Sequence, residues 1–170
     1  MDRIYKRVKE SNLKLGLEKI DSVYKDFSIR IQTAFDHTKK GAEIFSIRLK
    51  DNEWSGVYYE FTGPDINHIT VDSTLVTPKN GWCNFMNELF SYGILHLPNV
   101  NSTTVGQNMA VADGGYSFFE IGSKNKYRFY YYYSPDLMLD ERFEEAKKVV
   151  SIFRFIDENF SFSHTLTLTH

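Results

Sequence analysis

The chain has 170 residues, of which 42% are hydrophobic and 16% aromatic, and its net charge at pH 7 is −2. This length and composition are typical of a single globular domain with a sizeable core, and the high aromatic content favours a sheet-rich fold. The near-neutral charge argues against a general nucleic-acid-binding protein, and the lack of an apolar run of about 18 residues argues against a transmembrane segment.

The N-terminal segment, residues 1–22, is predicted to be helical. Near its start, Ile4, Tyr5 and Val8 form a narrow apolar strip among basic side chains, which is typical of a solvated helix that packs along one edge. Residues 13–20 fit both the two-residue period of a strand and the period of a helix, and we favour a helix there.

An alternating hydrophobic pattern predicts four strands between residues 27 and 76. Apolar side chains recur at every second position, for instance at Phe27, Ile29 and Ile31, as in strands that bury one face. The last of these strands is expected at about residues 66–76. Because the connections are short, consecutive strands are predicted to be antiparallel neighbours in a meander.

The hydrophobic spacing then changes to that of a helix. Trp82, Phe85 and Leu89 fall on one stripe, and Gly93 follows as the residue expected to end this helix. Residues 99–112 form a long polar connection, and a loop of that length in a compact domain is either functional or mobile.

Two aromatic runs, residues 116–121 and 127–133, flank a short polar loop and predict a β-hairpin. Both faces of the second run are aromatic, which indicates a central strand with one face under helices and the other partly wet. An amphipathic helix is predicted at about 140–159, and the tail 161–170 is expected either to add an edge strand or to fray.

Together these elements predict one α+β domain that spans residues 1–170. We expect a mostly antiparallel sheet of about six strands with two main helices packed on one face. No internal repeat or linker divides the chain.

No cofactor or metal site is predicted from sequence motifs. The chain has neither a phosphate-binding glycine–lysine loop nor a Gly-x-Gly-x-x-Gly pattern, and its histidines do not pair at metal-binding spacing. The N-terminus lacks an apolar leader, which favours a cytoplasmic protein. Export stays an alternative if a leader was removed before Met1.

Cys83, the single cysteine, is the only thiol nucleophile of the chain. It lies near the start of a predicted helix, where a helix dipole favours reactivity, but an inert thiol in the core is the more common arrangement and is favoured here. A small hydrolase-like enzyme is the alternative function. Its candidate residues are Cys83, His96 and Asp113, which would assemble near the 99–112 loop.

The second hairpin strand offers a candidate binding surface. Arg128, Tyr130 and Tyr132 share one of its faces, and arginine and tyrosine are enriched in protein interfaces. We predict them as contact residues of a partly wet face; the alternative, which is favoured for the rings themselves, is that they belong to the core. The most consistent function is a non-catalytic binding or protein-interaction domain with a protein partner.

Aromatic and turn residues recur at defined positions in the last half of the chain. These positions are Trp82, Leu89, Gly93, Leu97 and Pro98, then Gly114, Tyr116, the run from Tyr127 to Tyr133, and Pro135. In them the chain resembles small uncharacterised bacterial α+β proteins, some of them exported. The resemblance implies an α+β fold and carries no catalytic motif, so it implies no activity.

Overall fold

The computed structural model describes residues 3–20, 26–35, 43–63, 68–98, 115–124, 126–133, 135 and 144–160. In these ranges the chain forms the following helices and strands: α1 (Arg3–Lys14), β1 (Phe27–Phe35), β2 (Glu43–Lys50), β3 (Glu53–Thr62), β4 (Thr70–Val76), α2 (Trp82–Ser91), β5 (Gly115–Ser123), β6 (Lys126–Tyr133) and α3 (Glu144–Phe160). No helix within the described ranges is long and apolar enough to cross a membrane.

The strands form one antiparallel sheet in the order β4-β3-β2-β1-β5-β6. Strands β1 to β4 form the predicted meander, and after α2 the chain returns to add the β5–β6 hairpin on the far side of β1. Ile29 of β1 therefore lies between Ile47 of β2 and Ile121 of β5. The predicted α+β single-domain fold with a six-stranded antiparallel sheet is confirmed.

Helices α2 and α3 pack together on one face of the sheet. Phe85 of α2 stacks on Phe155 of α3, with the ring centroids 5.0 Å apart. From the sheet, Phe45 meets Phe85 edge-on at 6.4 Å, and Phe119 contacts Phe153 at 6.0 Å. Aromatic rings dominate this layer because each buries a large apolar area, and the prediction of two main helices on one face is confirmed.

Helix α1 lies on the opposite face, over strands β5 and β6. The ring of Tyr5 meets Phe129 of β6 edge-on at 5.2 Å, and the side-chain amide of Asn12 donates a hydrogen bond to Glu120 of β5 at 2.8 Å. The prediction that β6 is a central strand is wrong, because β6 is the outermost strand of the sheet, beside β5. Both of its faces carry aromatic residues because this end of the sheet is covered on both sides.

The N-terminal helix is shorter than predicted, and the interpretation of residues 13–20 as a helix is wrong beyond the end of α1. Gly16 has a φ of 72°, a left-handed conformation that turns the chain out of the helix. Leu17 is buried without being helical, in a second small cluster with Ile44 and Phe61. The apolar residues after α1 therefore fill one end of the sheet.

The remaining element boundaries agree closely with the expected ones. The strand predicted at 66–76 starts only at Thr70, and Gly93, with a φ of 77°, ends α2 as predicted. The helix predicted at about 140–159 corresponds to α3, Glu144–Phe160. Residues 140–143 lie outside the described residues. Predicted segments that lie outside the described residues are the 99–112 loop and the 161–170 tail.

Candidate functional site

The predicted contact residues of β6 bind a segment of their own chain, residues 94–98, which follows α2. The hydroxyl groups of Tyr130 and Tyr132 donate hydrogen bonds to the carbonyl oxygens of residues 94 and 98, each at 2.6 Å. Arg128 donates to the carbonyl oxygens of residues 95 and 97, and its guanidinium lies 4.9 Å from the ring centroid of Tyr130. Backbone carbonyl groups outside regular secondary structure need hydrogen-bond donors when they are buried. The side chains of β6 supply these donors to residues 94–98.

The prediction that this face of β6 is partly exposed to water is wrong for Tyr130 and Tyr132. Tyr130 and Tyr132 are only 1% and 2% exposed, so neither ring offers a surface to a partner in this conformation. Burial also raises the pKa of both hydroxyls well above the usual value for tyrosine. The alternative, that the rings belong to the core, agrees with the structure.

The three hydrolase candidates are not brought together among the described residues. Cys83 lies in the first turn of α2 and is exposed, so the expectation of a buried thiol is wrong. His96 is exposed in the turn beyond the other end of α2, where its backbone N–H donates to the backbone carbonyl of Gly93 at 2.8 Å. At a rise of about 1.5 Å per residue, roughly 12 Å of helix separates Cys83 from Ser91, the last residue of α2. Asp113 lies outside the described residues.

A buried charged network, which sequence reasoning missed, lies between α1 and the sheet. Arg30 of β1 and Glu120 of β5 are buried cross-strand neighbours with a nitrogen–oxygen distance of 3.0 Å. Asn12 and Tyr127 donate further hydrogen bonds to Glu120 at 2.8 and 2.9 Å, and Arg30 donates to the backbone carbonyl of Glu18 at 2.6 Å. The pairing satisfies both carboxylate oxygens, which favours a structural role for the network over a catalytic one.

The pair was missed because its members lie 90 residues apart in sequence. Each also looks like an ordinary polar residue on the outer face of an alternating strand. The available signal was the position of Arg30 and Glu120 in strands whose other residues are mostly apolar, where a buried charge needs a partner.

A groove of about 300 Å³ opens beside this network, between α1 and strands β1 and β5. Gln32 of β1 lines it and is 6% exposed, and its amide oxygen has no hydrogen-bond partner. The other side chains that shape the groove include Arg7, Val8, Ser11, Tyr116 and Phe118. The volume of this groove is at the lower end of the range for small-molecule pockets.

Strand β4 forms an exposed edge at the opposite end of the sheet. Six of its seven residues are exposed, and two of its large apolar side chains, Leu75 and Val71, are 82% and 40% exposed. Soluble proteins usually protect such edges against pairing with other chains, so β4 is the second candidate surface.

No group of three histidine, cysteine, aspartate or glutamate side chains within the described ranges is placed to hold a metal ion. No protein family, curated protein or solved structure matches this chain. By its fold and surface features, the chain is an α+β domain with an exposed edge strand and a groove beneath its first helix. The resemblance to small bacterial proteins stays a prediction.

Proposed function

We propose that this protein is a non-catalytic protein-interaction domain that binds an extended segment of a partner along the edge of β4. The observation that carries the proposal is the exposure of almost the whole strand. An edge strand presents backbone N–H and C=O groups, and a segment that pairs with them adds a strand to the sheet. Natural edges resist this with lysine, proline or a bulge, whereas β4 has a single charged residue, Asp72, and no proline.

The other edge of the sheet, β6, is less suited to such pairing. Residues 130–132 are buried, and the side chains of Arg128, Tyr130 and Tyr132 already bind the chain that follows α2. The two edges therefore differ in exposure, and this difference directs the proposal to β4 rather than to the tyrosine-rich strand.

The side chains of β4 indicate what kind of segment would pair with it. On one face, Val71 and Leu75 offer apolar contacts. On the other face, Asp72 lies directly opposite Glu60 of β3, and like charges opposite one another in a sheet are destabilising. A lysine or arginine beside Asp72 would offset this repulsion. The favoured partner segment therefore alternates apolar residues on one face with basic residues on the other.

The test replaces Leu75 with lysine and compares capture of partners from a lysate of the source cells, identified by mass spectrometry. Leu75→Lys is expected to lose the partner that the unmodified protein captures, because the lysine places a charge where the partner needs an apolar contact. Because Leu75 is exposed, Leu75→Lys should change the free energy of unfolding by less than about 0.5 kcal/mol.

Leu13→Lys is the matched control. Leu13 is also a partly exposed leucine, at 45%, but it lies on α1, and this variant is expected to keep the partner. Equal capture by Leu75→Lys and the unmodified protein would contradict the proposal. Loss of the partner in both variants would show that added charge alone disrupts the complex, and would also count against β4.

A further inference from the structure

We propose that β4 also pairs with β4 of a second copy of this chain, in an antiparallel dimer whose twofold axis passes through Ser73. The two six-stranded sheets join at this axis into one continuous sheet. The regulatory consequence rests on the function proposed above. An edge that is paired with its own copy cannot accept a partner segment, so dimerisation controls how much of the protein is free to bind.

The outer edge of β4 is available for this pairing. β4 is hydrogen-bonded to β3 and is the outermost strand on its side of the sheet. An edge strand presents backbone N–H and C=O groups to any strand of matching length, and β4 has no proline that would remove a donor. A second β4 has the same length by necessity, so the whole strand can be paired.

The side chains of β4 are arranged symmetrically about Ser73. When Ser73 of one copy lies opposite Ser73 of the other, Val71 lies opposite Leu75, and Asp72 lies opposite Thr74. This register pairs all seven residues of the strand, Thr70–Val76, with residues of the same strand in the other copy. Because a twofold axis applies every contact twice, the two exposed apolar side chains of each copy are both matched.

The dimer continues apolar rows that already exist in the sheet. In the β3–β4 register, Val71 lies opposite Phe61, and Leu75 lies opposite Val57. Each row therefore crosses four strands, with Phe61 and Val71 from one copy followed by Leu75 and Val57 from the other. Apolar side chains directly opposite one another stabilise a sheet. Self-pairing thus covers Leu75, which is 82% exposed in the single chain.

Charge and apolar matching favour this register over the two neighbouring ones. An axis at Asp72 places the two Asp72 carboxylates directly opposite each other, where like charges are destabilising. An axis at Thr74 places Leu75 opposite Ser73 instead of Val71. Both shifts also leave residues at one end of β4 without a partner in the other β4. The axis at Ser73 avoids all three costs.

A repulsion that remains in this dimer keeps it weak. The two Asp72 side chains become diagonal neighbours across the axis, about 7–8 Å apart, and each also lies opposite Glu60 of its own β3. A basic partner segment meets no such repulsion and neutralises Asp72. The partner is therefore expected to displace the second copy from β4.

Sedimentation velocity over micromolar to millimolar protein concentrations tests the dimer. The unmodified protein is expected to shift from monomer to dimer as its concentration rises. Leu75→Lys should weaken self-association at least about tenfold, because it places a charge in both apolar rows. Leu13→Lys, which alters an exposed leucine of α1, should leave it unchanged. A monomer at every concentration, or equal effects of the two variants, would overturn the proposal.

A disulfide cross-link tests the position of the axis. Cys83 is exposed and is the single cysteine, so both variants carry Cys83→Ser. Directly opposite residues have Cα atoms about 4.5–5.5 Å apart, within reach of a disulfide. Ser73→Cys is therefore expected to form a covalent dimer on mild oxidation, seen on a non-reducing gel. Thr70→Cys should not, because its two copies lie about 20 Å apart along the strands. Equal cross-linking of both would contradict this register.

Asp72→Asn separates self-pairing from partner binding, with a synthetic peptide of alternating valine and lysine as the probe. This variant should strengthen the dimer about two- to fivefold, because it removes the diagonal repulsion. It should weaken peptide binding, measured by fluorescence anisotropy, because the lysines lose their counter-ion. A weaker dimer in Asp72→Asn would contradict the proposed register.

The same probe distinguishes failure of the dimer from failure of the proposed function. A protein that binds the peptide but stays monomeric would overturn self-pairing and leave the partner-binding edge intact. A dimer that forms as expected but neither binds the peptide nor dissociates in its presence would support self-pairing and count against the partner segment proposed for β4.

Discussion

Arg30 and Glu120 show how much one pair of residues can matter in this domain. Both are buried between α1 and the sheet, where an ion is costly unless it is paired. Glu120 of β5 is held by Arg30 of β1, Asn12 of α1 and Tyr127 of β6, and these contacts join four elements of the fold. Burial is the largest cause that raises the pKa of the Tyr127 hydroxyl, and the nearby Glu120 carboxylate raises it further.

Removal of one charge from this pair should cost more than removal of both. Glu120→Leu is expected to lower the free energy of unfolding by about 3–5 kcal/mol, because it leaves the Arg30 guanidinium buried without its counter-ion. The double variant Arg30→Met/Glu120→Leu should recover much of that loss. Urea unfolding of the three proteins provides the measurement. A double variant less stable than Glu120→Leu would show that the uncompensated charge is not the main cost.

At the scale of elements, the contact between β3 and α2 sets how closely a helix approaches the sheet. Gly56 faces Trp82, and a Cβ atom at Gly56 would lie 2.6 Å from the indole ring. Trp82 is itself in edge-on contact with Phe85 at 5.8 Å. Glycine in a strand is normally unfavourable, so here its small size, rather than its backbone freedom, explains its presence.

Gly56→Ala is therefore expected to destabilise the protein by about 1–3 kcal/mol through overpacking. Trp82→Leu also costs stability, but it opens the space that the new methyl group needs. In the double variant the two losses should not add, with a coupling of about 0.5–3 kcal/mol in the favourable direction. Thermal or urea unfolding of the cycle checks this, and strict additivity would mean that the strand accommodates the methyl group without contacting Trp82.

At the scale of the whole molecule, tyrosine hydroxyls are buried on both sides of the sheet. Burial is the largest cause that raises the pKa of Tyr58, Tyr127, Tyr130 and Tyr132. The folded protein therefore keeps these protons at a pH where the unfolded chain, with a tyrosine pKa of about 10, releases them. Since the unfolded state then binds fewer protons, stability must fall as the pH rises.

The free energy of unfolding is expected to be insensitive to these tyrosines below about pH 9 and to fall above about pH 10. Each tyrosine that stays protonated in the folded state removes about 1.4 kcal/mol per pH unit. Tyr130→Phe should make the fall in the free energy of unfolding above about pH 10 less steep, by about 1.4 kcal/mol per pH unit, because one fewer proton is released on unfolding. Denaturant unfolding between neutral and alkaline pH measures this slope. An unchanged slope in this variant would show that Tyr130 does not retain its proton when folded.

Much of the fold was predictable because its signals are local. Alternating apolar residues identified the strands, the helical stripe from Trp82 to Leu89 identified α2, and Gly93 marked its end. These patterns follow from the periods of the backbone itself. They failed after α1, where Leu17 is buried by tertiary contacts without any regular structure.

The candidate sites were less predictable because they depend on which segments become neighbours. The sequence by itself determined the elements, the two-residue alternation and the aromatic hairpin, since each follows from the stereochemistry of a few consecutive residues. Only the tertiary structure decided that Tyr130 binds the chain after α2, that Arg30 meets Glu120, and that Leu75 lies on an exposed edge. The physical reason is the strand order: pairing of β1 with β5 joins distant segments and leaves β4 outermost.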